Sequence, residues 1–359
     1  MKKLFLLTVL LTITSSSFSQ TDRELALDKK KKAIELMDNG SPDESIKLLE
    51  EAKKLDPGTY IYDYEIAFAY SIKKDTKKSL EIAKELIKFK DANDQCYQMI
   101  GNLYDELGDQ KRAIKAYDDG LKLFPNSGRL YLEKGNLYWI QKKYIEALPF
   151  YELGIKADPT LPSNYYRATL LYLNSKEEVW GMIYGEIFLN LEVNTKRTKE
   201  ISKLLYDTYQ SQIKFTSDTS FSVSFSKFAT ITIDKLKDPE NFKLPFGVAV
   251  YEPTLMLSIL GEKSIDINSL YRIRERFVSN YYDKKFNVKY PNALFDFQKT
   301  LIDSGYFQAY NYWLLSGGDT EAFDSWKGKN KELWDKFVDW FNKNGMALTQ
   351  DNKFSRDQY

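Results

Sequence analysis

The sequence lacks the side chain that most often moves protons in enzymes, because it contains no histidine among its 359 residues. Ser-His-Asp and Cys-His nucleophile pairs, histidine zinc sites and histidine proton shuttles are therefore excluded. Carboxylate pairs could still supply an acid and a base, but the 51 Asp and Glu residues are spread along the chain and no pair stands out. We predict no catalytic residues, no metal site and no cofactor. A carboxylate-dependent enzyme in the C-terminal region stays open as an alternative.

The chain has one cysteine, Cys96, which cannot form an internal disulfide. A reactive thiol needs a partner that lowers its pKa, such as a histidine, a second cysteine or a flanking cation. Cys96 has none of these in its sequence neighbourhood. We therefore predict that Cys96 is a small buried core residue.

Aromatic side chains are dense between positions 310 and 341, and they form a second group that could bind a ligand. Exposed rings can stack on sugars, which leaves a glycan-binding accessory protein as an alternative. One helical stripe follows the i, i+3, i+4, i+7 spacing of an amphipathic core, so we predict that most of these rings are buried. Its members are Trp334, Phe337, Val338 and Phe341. Trp326 and Trp340 lie off the stripe and are the two candidates for exposure.

The charge balance is nearly neutral, with a formal net charge of +1 at pH 7. Proteins that bind DNA or RNA without sequence preference rely on a positive field that attracts phosphates. A near-neutral chain lacks that field, so no nucleic-acid partner is expected.

The first 19 residues have the pattern of a secretory signal, with two lysines, an apolar run over residues 4–13 and small residues at the end. The apolar run is about half of the ~20 residues that a transmembrane helix needs. We expect the mature chain to begin near Gln20 without an integral membrane segment. No cysteine follows the signal to accept a lipid, so we expect an exported protein of the periplasm or the cell exterior and not a lipoprotein.

A 34-residue period organises the chain from residue 26 to residue 195. Small residues recur at the eighth and twentieth positions of each block, and a large one at the eleventh is expected to fill the gap between helices. One block cannot bury its apolar face alone, so the blocks are expected to stack into a solenoid. The predicted blocks are 26–59, 60–93, 94–127, 128–161 and 162–195. The eighth positions hold Ala33, Ala67, Gly101, Gly135 and Thr169, and the twentieth hold Ser45, Ser79, Ala113, Ala147 and Gly181.

The fourth block carries the clearest motif, namely Gly135-Asn136-Leu137-Tyr138, Ala147, Tyr151 and Asp158-Pro159. This pattern resembles the tetratricopeptide repeat (TPR) family, and the third block matches it nearly as well. The resemblance implies an all-α superhelix of about five antiparallel helix pairs with a concave face. The fifth block departs furthest, with Thr169 at the small position. Its second helix places Gly181 and Gly185 on one face, where we expect close packing against the next helix.

Beyond the repeats, residues 196–213 predict a capping helix and residues 214–359 a mainly helical C-terminal domain of unknown role. This region resembles the tail that follows the repeats in a group of exported bacterial TPR proteins. The pattern around Phe221 fits both a strand and a helical face, and we favour one short strand or an irregular crossing. A loop is predicted from Lys235 to Pro245, and Gly317-Gly318 predicts a helix C-cap.

The TPR resemblance also implies a binding groove, because in that family the first helix of each block lines the concave face with set positions. Its asparagines would bond an extended peptide, its arginines would hold a carboxylate, and its aromatic rings would anchor an apolar side chain. The implied partner-binding residues are Tyr64, Phe68, Gln98, Asn102, Arg129, Glu133, Asn136, Trp139, Tyr166 and Arg167. The lysine-based carboxylate clamp of some relatives is not expected, since Gln98 and Leu132 stand at the lysine positions. The sequence therefore predicts a non-catalytic scaffold or adaptor of the bacterial cell envelope that binds a protein or peptide partner.

Overall fold

The computed structural model describes residues 21–217, 220–226 and 245–359. The chain divides into two compact units, one up to Leu137 and one from Tyr138 onward, so the division falls inside the fourth predicted block. The predicted signal segment and most of the loop predicted from Lys235 to Pro245 lie outside the described residues. Helices dominate both units, which confirms the expected all-α fold, and the described residues add one short β-hairpin.

The first unit is a series of helices in which neighbours along the chain pack on each other. Their bounds are α1 (21–38), α2 (Pro42–Leu55), α3 (Ile61–Ile72), α4 (Thr76–Leu86), α5 (Asp94–Glu106), α6 (Gln110–Leu123) and α7 (Gly128–Ile140), of which residues up to Leu137 belong to this unit.

Acidic N-caps begin two of the second helices. The Asp75 carboxylate accepts a hydrogen bond from the backbone N–H of Lys78 at 3.1 Å, and Asp109 accepts one from that of Arg112 at 2.9 Å. Each cap satisfies an amide that has no partner within its helix. Gly108, directly before the second cap, has a φ of +78°, a left-handed conformation that glycine adopts without strain. Turn and cap together set where α6 starts.

Small residues of the repeat frame make room for aromatic rings. A Cβ added at Gly101, the eighth residue of the third block, would lie 2.0 Å from Cε1 of Tyr117. Tyr117 lies in α6 of the same block and is 1% exposed, whereas the eleventh-position ring, Tyr104, is only half-buried. The ring that fills this space therefore comes from the second helix and not from the eleventh position. Cys96 is fully buried, as predicted, and this burial raises the pKa of its thiol.

The second unit contains the remaining helices and the hairpin. Their bounds are α8 (Tyr144–Ala157), α9 (Pro162–Tyr172), α10 (Glu178–Leu191), α11 (Lys196–Gln212), β1 (Ile213–Ser217), β2 (Ser220–Val223), α12 (Glu252–Ile259), α13 (Ile267–Asp283), α14 (Phe286–Lys289), α15 (Ala293–Asp303), α16 (Phe307–Leu315), α17 (Thr320–Lys329) and α18 (Lys331–Asn344). A π-helical turn, Gly247–Tyr251, leads into α12.

The fifth helix pair reverses the small and large positions of the third. Thr169 occupies the eighth position and is fully buried, and Gly185 occupies the position that Tyr117 holds in the third block. A Cβ on Gly185 would lie 2.9 Å from Leu205 and 3.0 Å from Thr169. Close packing on the next helix, α11, is therefore confirmed for Gly185. Gly181 instead makes room for Leu173, at the end of the preceding helix.

A two-stranded antiparallel hairpin follows α11, where one short strand or an irregular crossing was expected. Strands β1 and β2 pair Ile213 with Val223 and Phe215 with Phe221, and the register shifts after Phe215. The alternation of phenylalanine and serine was therefore a strand pattern, and it forms β2. Its partner strand, β1, lies directly before it in the chain. Because Ile213 already pairs in the hairpin, the helix that precedes it ends at Gln212.

The exposure predicted for Trp326 is wrong. Its indole ring stacks on Tyr312 at a centroid distance of 4.6 Å, and the residue is 8% exposed. Trp340 is half-buried against the rings of Phe297 and Tyr306. The ring of Trp326 turns inward because α17 packs against α16, a contact between helices that the stripe on α18 could not reveal.

The glycine pair at the end of α16 serves close packing. Neither Gly317 nor Gly318 has a positive φ, so the predicted C-cap is not of the left-handed type. A Cβ on Gly317 would lie 2.6 Å from the carbonyl oxygen of Lys199, and one on Gly318 would lie 2.3 Å from the Tyr206 side chain. The pair lets the turn between α16 and α17 lie directly against α11.

A buried ion pair links the repeat end of the second unit to its C-terminal helices. Glu186 of α10 accepts hydrogen bonds from Arg274 at 2.5 Å, Gln298 at 2.6 Å and Tyr310 at 2.9 Å. Arg274 also donates to Asn311 at 2.6 Å. Burial alone would lower the pKa of Arg274, but the charge of Glu186 together with Tyr209, Tyr310 and the hydrogen bond to Glu186 outweighs this and raises it. The adjoining cavity has a volume of about 20 Å³, room for about one water molecule.

The last residues of the chain pack back onto α8, α9 and α10. Phe354 is 1% exposed and stacks near Trp180, and Arg356 donates to the Glu152 carboxylate at 2.9 Å. The hydroxyl of Tyr184 accepts a hydrogen bond from the Arg356 backbone N–H at 2.8 Å. Among the described residues, none of the helices combines the length and apolar character that crossing a bilayer requires.

Candidate functional site

In the first unit, the predicted surface begins with two aromatic residues of α3. Phe68 is 45% exposed, and Tyr64 is half-buried with its ring edge-on to Tyr60 at 6.3 Å. Burial raises the pKa of Tyr64, the charge of Glu65 adds to the shift and the charge of Arg129 opposes it. Tyr64 and Arg129 are thus electrostatic neighbours, although they lie on α3 and α7. An apolar side chain of a ligand could bind beside Phe68.

Polar side chains of α5 and α7 join into one hydrogen-bonded group. The Glu133 carboxylate accepts from Gln98 at 2.8 Å and from Asn136 at 3.1 Å. Asn102 is exposed, and its carbonyl oxygen accepts from the hydroxyl of Tyr117 at 2.6 Å. That bond fixes the orientation of the Asn102 amide and leaves its NH₂ group to donate a hydrogen bond. An amide held in this way can donate to a peptide carbonyl.

Arg129 is the least available of the predicted anion-binding groups. Its Nε lies 3.2 Å from a carboxylate oxygen of Asp94, which also accepts from the Ser127 hydroxyl at 2.6 Å. A ligand carboxylate would have to compete with Asp94 for the guanidinium. The sequence placed both arginines in one role, but the structure gives Arg129 an acidic partner.

In the second unit, three predicted residues come together around Arg167. Its guanidinium carbon lies 4.7 Å from the Trp139 ring centroid and 5.8 Å from that of Tyr166. Within the described ranges, Arg167 has no ion pair, and it is half-buried. A planar guanidinium held against aromatic rings keeps its N–H groups in a fixed fork that matches a carboxylate.

The cluster around Arg167 extends onto α11, which sequence reasoning treated only as a cap. The Tyr166 hydroxyl donates to Glu200 at 2.8 Å, and the Arg197 guanidinium lies 5.0 Å from the Tyr166 ring while it pairs with Glu192. Burial raises the pKa of Tyr166, and the hydrogen bond to Glu200 adds to the shift.

A signal for these α11 residues was present in the sequence. One more step of 34 residues from Ser163 reaches Arg197, and one more step from Tyr166 reaches Glu200. Both α11 residues therefore stand at groove-lining positions of a sixth block. The structure connects the same pairs, since Arg197 donates to Ser163 at 3.1 Å.

Among the residues that the structure describes, no candidate metal site is found. Across residues 21–217, 220–226 and 245–359, the Cys, Asp and Glu side chains form no group of three or more that could hold a metal ion. What the two surfaces offer is hydrogen bonding, one unpaired guanidinium and aromatic rings. That combination suits recognition of another molecule.

Residues 99–162 match the family model of the tetratricopeptide repeat. This part of the chain carries tetratricopeptide repeats. The match spans the third and fourth predicted blocks, so the resemblance seen in the sequence is confirmed. No curated protein matches the chain.

Solved structures of TPR proteins are similar to parts of this chain. One is pilF of Pseudomonas aeruginosa, at 15% identity over 53% of this chain and 86% of that one, with a TM-score of 0.43. A thermophilic TPR protein of Thermus thermophilus has 17% identity over 50% of this chain and 98% of its own, with a TM-score of 0.41. The C-terminal part of a TPR repeat-containing protein from Cytophaga hutchinsonii covers 85% of this chain and 98% of its own at 12% identity, with a TM-score of 0.39. Identities this low transfer no function.

Proposed function

We propose that this TPR protein is a non-catalytic interaction scaffold, and that its second unit binds an acidic group of a protein or peptide partner at Arg167. The observation that carries the proposal is the state of Arg167, which is held between Trp139 and Tyr166 without an ion pair among the described residues. An arginine oriented by ring contacts and without a carboxylate partner can offer its N–H groups to an acidic group.

The chemistry of the neighbours favours a peptide as the partner. Trp139 is half-buried and packs edge-on to Tyr144 at 5.2 Å, so an apolar side chain of the partner can contact its remaining surface. A carboxylate bound at Arg167 would make charge-assisted hydrogen bonds, each of which contributes about 1.5–3 kcal/mol. In the first unit, Asn102 and Phe68 offer the same two kinds of contact to a peptide backbone and an apolar side chain.

We further propose that the protein is exported to the periplasm or the cell exterior of a bacterium, and that it is not a lipoprotein. The support is the pattern of residues 1–19 and the absence of a cysteine directly after them. Fractionation of the native host with an antibody against the protein tests this proposal. Recovery of the full-length chain from the cytoplasm would contradict it.

The binding proposal is tested by in-cell crosslinking and affinity capture with four forms of the protein. Wild type should recover a defined partner, and Arg167→Glu should reduce the recovered amount at least tenfold. Arg167→Lys should give an intermediate loss, because an ammonium keeps the charge without the planar fork. Lys343→Glu makes the same charge change at an exposed position of α18 and is the matched control.

Two results would count against this site. One is equal recovery of the partner by Arg167→Glu and wild type. The other is loss of the partner with Lys343→Glu as well, which would show that overall charge and not Arg167 governs the capture. The purified partner should then bind wild type in calorimetry and lose affinity when its own acidic residues are replaced by amides.

A further inference from the structure

The second unit contains a cleft that is separate from the Arg167 cluster and has a volume of about 500 Å³. We call it the lysine–tryptophan cleft. Its walls come from the start of α11, the end of α16, α17 and the first turn of α18. Lys199, Asp324 and Lys327 contribute charged groups to its lining, and Trp313, Phe323 and Trp334 contribute aromatic rings. Volumes of about 300–1,000 Å³ are typical of small-molecule sites.

The closed side of the cleft is a tight contact between two backbones. The Gly317 N–H donates to the Ser202 hydroxyl at 2.8 Å, and any side chain on Gly317 would collide with the backbone of Lys199 and Lys203. This contact holds the α16–α17 turn against α11. The cleft is therefore a fixed feature of the packing between these helices.

Aromatic rings form two of its walls. Trp313 is half-buried, and its ring packs on that of Phe341 at a centroid distance of 5.2 Å. Phe323 and Trp334 meet edge-on at 5.3 Å on the other wall. These rings provide apolar surface for a flat molecule, and their own contacts hold them in place.

Three hydroxyl groups that line the cleft donate their protons to backbone carbonyls. Thr198 donates to the Thr195 carbonyl at 2.7 Å, Ser316 to that of Trp313 at 2.8 Å and Thr320 to that of Ser316 at 3.1 Å. These hydroxyls can still accept hydrogen bonds but have no proton left to donate. The strongest donors of the rim are its charged groups.

Two lysines supply those donors. Within the part of the chain that the structure describes, neither Lys199 nor Lys327 forms an ion pair. Lys327 lies 4.8 Å from the Trp334 ring centroid and 5.8 Å from that of Phe323, so its ammonium is held at the wall of the cleft. Asp324 is the single carboxylate of the lining, which leaves an excess of one positive charge.

We propose that the lysine–tryptophan cleft binds a small carboxylate that carries a flat apolar face. The carboxylate binds to Lys199 and Lys327, and the flat face packs on Trp313. Both aryl acids and uronic acids have this chemistry. The site lies apart from Arg167 and needs no protein partner.

Calorimetric titration of the full mature chain tests the proposal with two acids and their neutral forms. The probes are naphthalene-2-carboxylate against its carboxamide, and glucuronate against glucuronamide. At least one acid should bind with a dissociation constant below about 1 mM, at least tenfold more tightly than its own amide. The acid that binds identifies the source of the ligand. Binding by neither acid, or equal binding of acid and amide, overturns the proposal.

Variants then locate the binding. Lys199→Met with Lys327→Met should weaken the acid at least tenfold while leaving any weak binding of the amide unchanged, and Trp313→Leu should weaken both. Lys343→Met is the matched control and should leave the affinity unchanged. Unaltered affinity in the double lysine variant would place the acid elsewhere and refute the site. Near-ultraviolet circular dichroism confirms that each variant keeps native packing.

Discussion

Replacing Glu186 with methionine isolates the buried charge of Arg274. In the wild-type chain, Arg274 is 3% exposed and faces the Glu186 carboxylate at 2.5 Å. In Glu186→Met, the guanidinium keeps the Asn311 oxygen as an acceptor but loses the opposing charge. Leaving one member of a buried ion pair alone costs about 3–5 kcal/mol. For a unit of this size, that loss lowers the midpoint of thermal unfolding by about 6–20 °C.

The assay can be confined to the second unit. All six tryptophans, Trp139, Trp180, Trp313, Trp326, Trp334 and Trp340, lie beyond Leu137. Urea unfolding of the full chain followed by tryptophan fluorescence therefore reports on the second unit alone. Asp335→Ala removes an exposed ion pair with Lys331 in the same unit and should leave the midpoint almost unchanged.

A double variant decides whether charge is the cause. Glu186→Met combined with Arg274→Met buries no charge, so it should recover at least about 2 kcal/mol relative to Glu186→Met alone. The recovery is incomplete because Gln298 and Tyr310 still lose their shared acceptor. A single variant that loses less than about 1 kcal/mol, or a double variant no more stable than the single, would refute the assignment of a compensated buried pair.

Three further predictions concern other parts of the chain. Gly101→Ala should destabilise the first unit by about 1–3 kcal/mol in far-ultraviolet circular dichroism melts, because its Cβ meets a buried ring, while Gly58→Ala, in open space, should not. Glu262→Gln should lose about 1–2 kcal/mol at pH 7, because hydrogen bonds from Arg272 and a second arginine hold the pKa of Glu262 below its usual range. That stability is complete above the unfolded pKa of about 4.3 and disappears as the pH falls through the folded pKa, so variant and wild type should converge in acid. Cys96 should react with a thiol reagent in urea but not in the native chain, and fast native reaction would contradict its burial.

The periodic part of the fold was readable from the sequence because the repeat contacts are local. The block starts Asp94, Gly128 and Pro162 are each the first residue of a helix, and one further step reaches Lys196, where α11 begins. Each block buries its small residues against its own or the adjacent helices, so the same spacing recurs. The helix positions in this region therefore follow from one period, whereas the choice of ring that fills each small position does not.

The parts that were missed depend on contacts between distant residues. Trp326 is buried by Tyr312, which lies in another helix. The phenylalanine spacing of the hairpin fits a helical face as well as a strand, so the pattern alone could not identify the two strands. The pairing of Arg129 with Asp94 depends on side-chain conformation across two helices, which spacing does not encode. Sequence patterns indicate which face of a helix a residue occupies, but they do not show which charged side chain forms an ion pair with it.

That distinction explains why Arg167 differs from Arg129, the other arginine of the predicted surface. Two carboxylates of its cluster are already engaged, since Glu200 accepts from the Tyr166 hydroxyl and Glu192 pairs with Arg197. Both of these acidic residues lie at or beyond the end of α10, outside the five predicted first helices. The α11 segment thus does more than cap the repeats: its Glu200 accepts from Tyr166, its Arg197 pairs with Glu192, and Arg167 has no ion pair among the residues that the structure describes. An arginine in that state has its charge and its orientation in place before a partner arrives, which lowers the entropy cost of binding an acidic group.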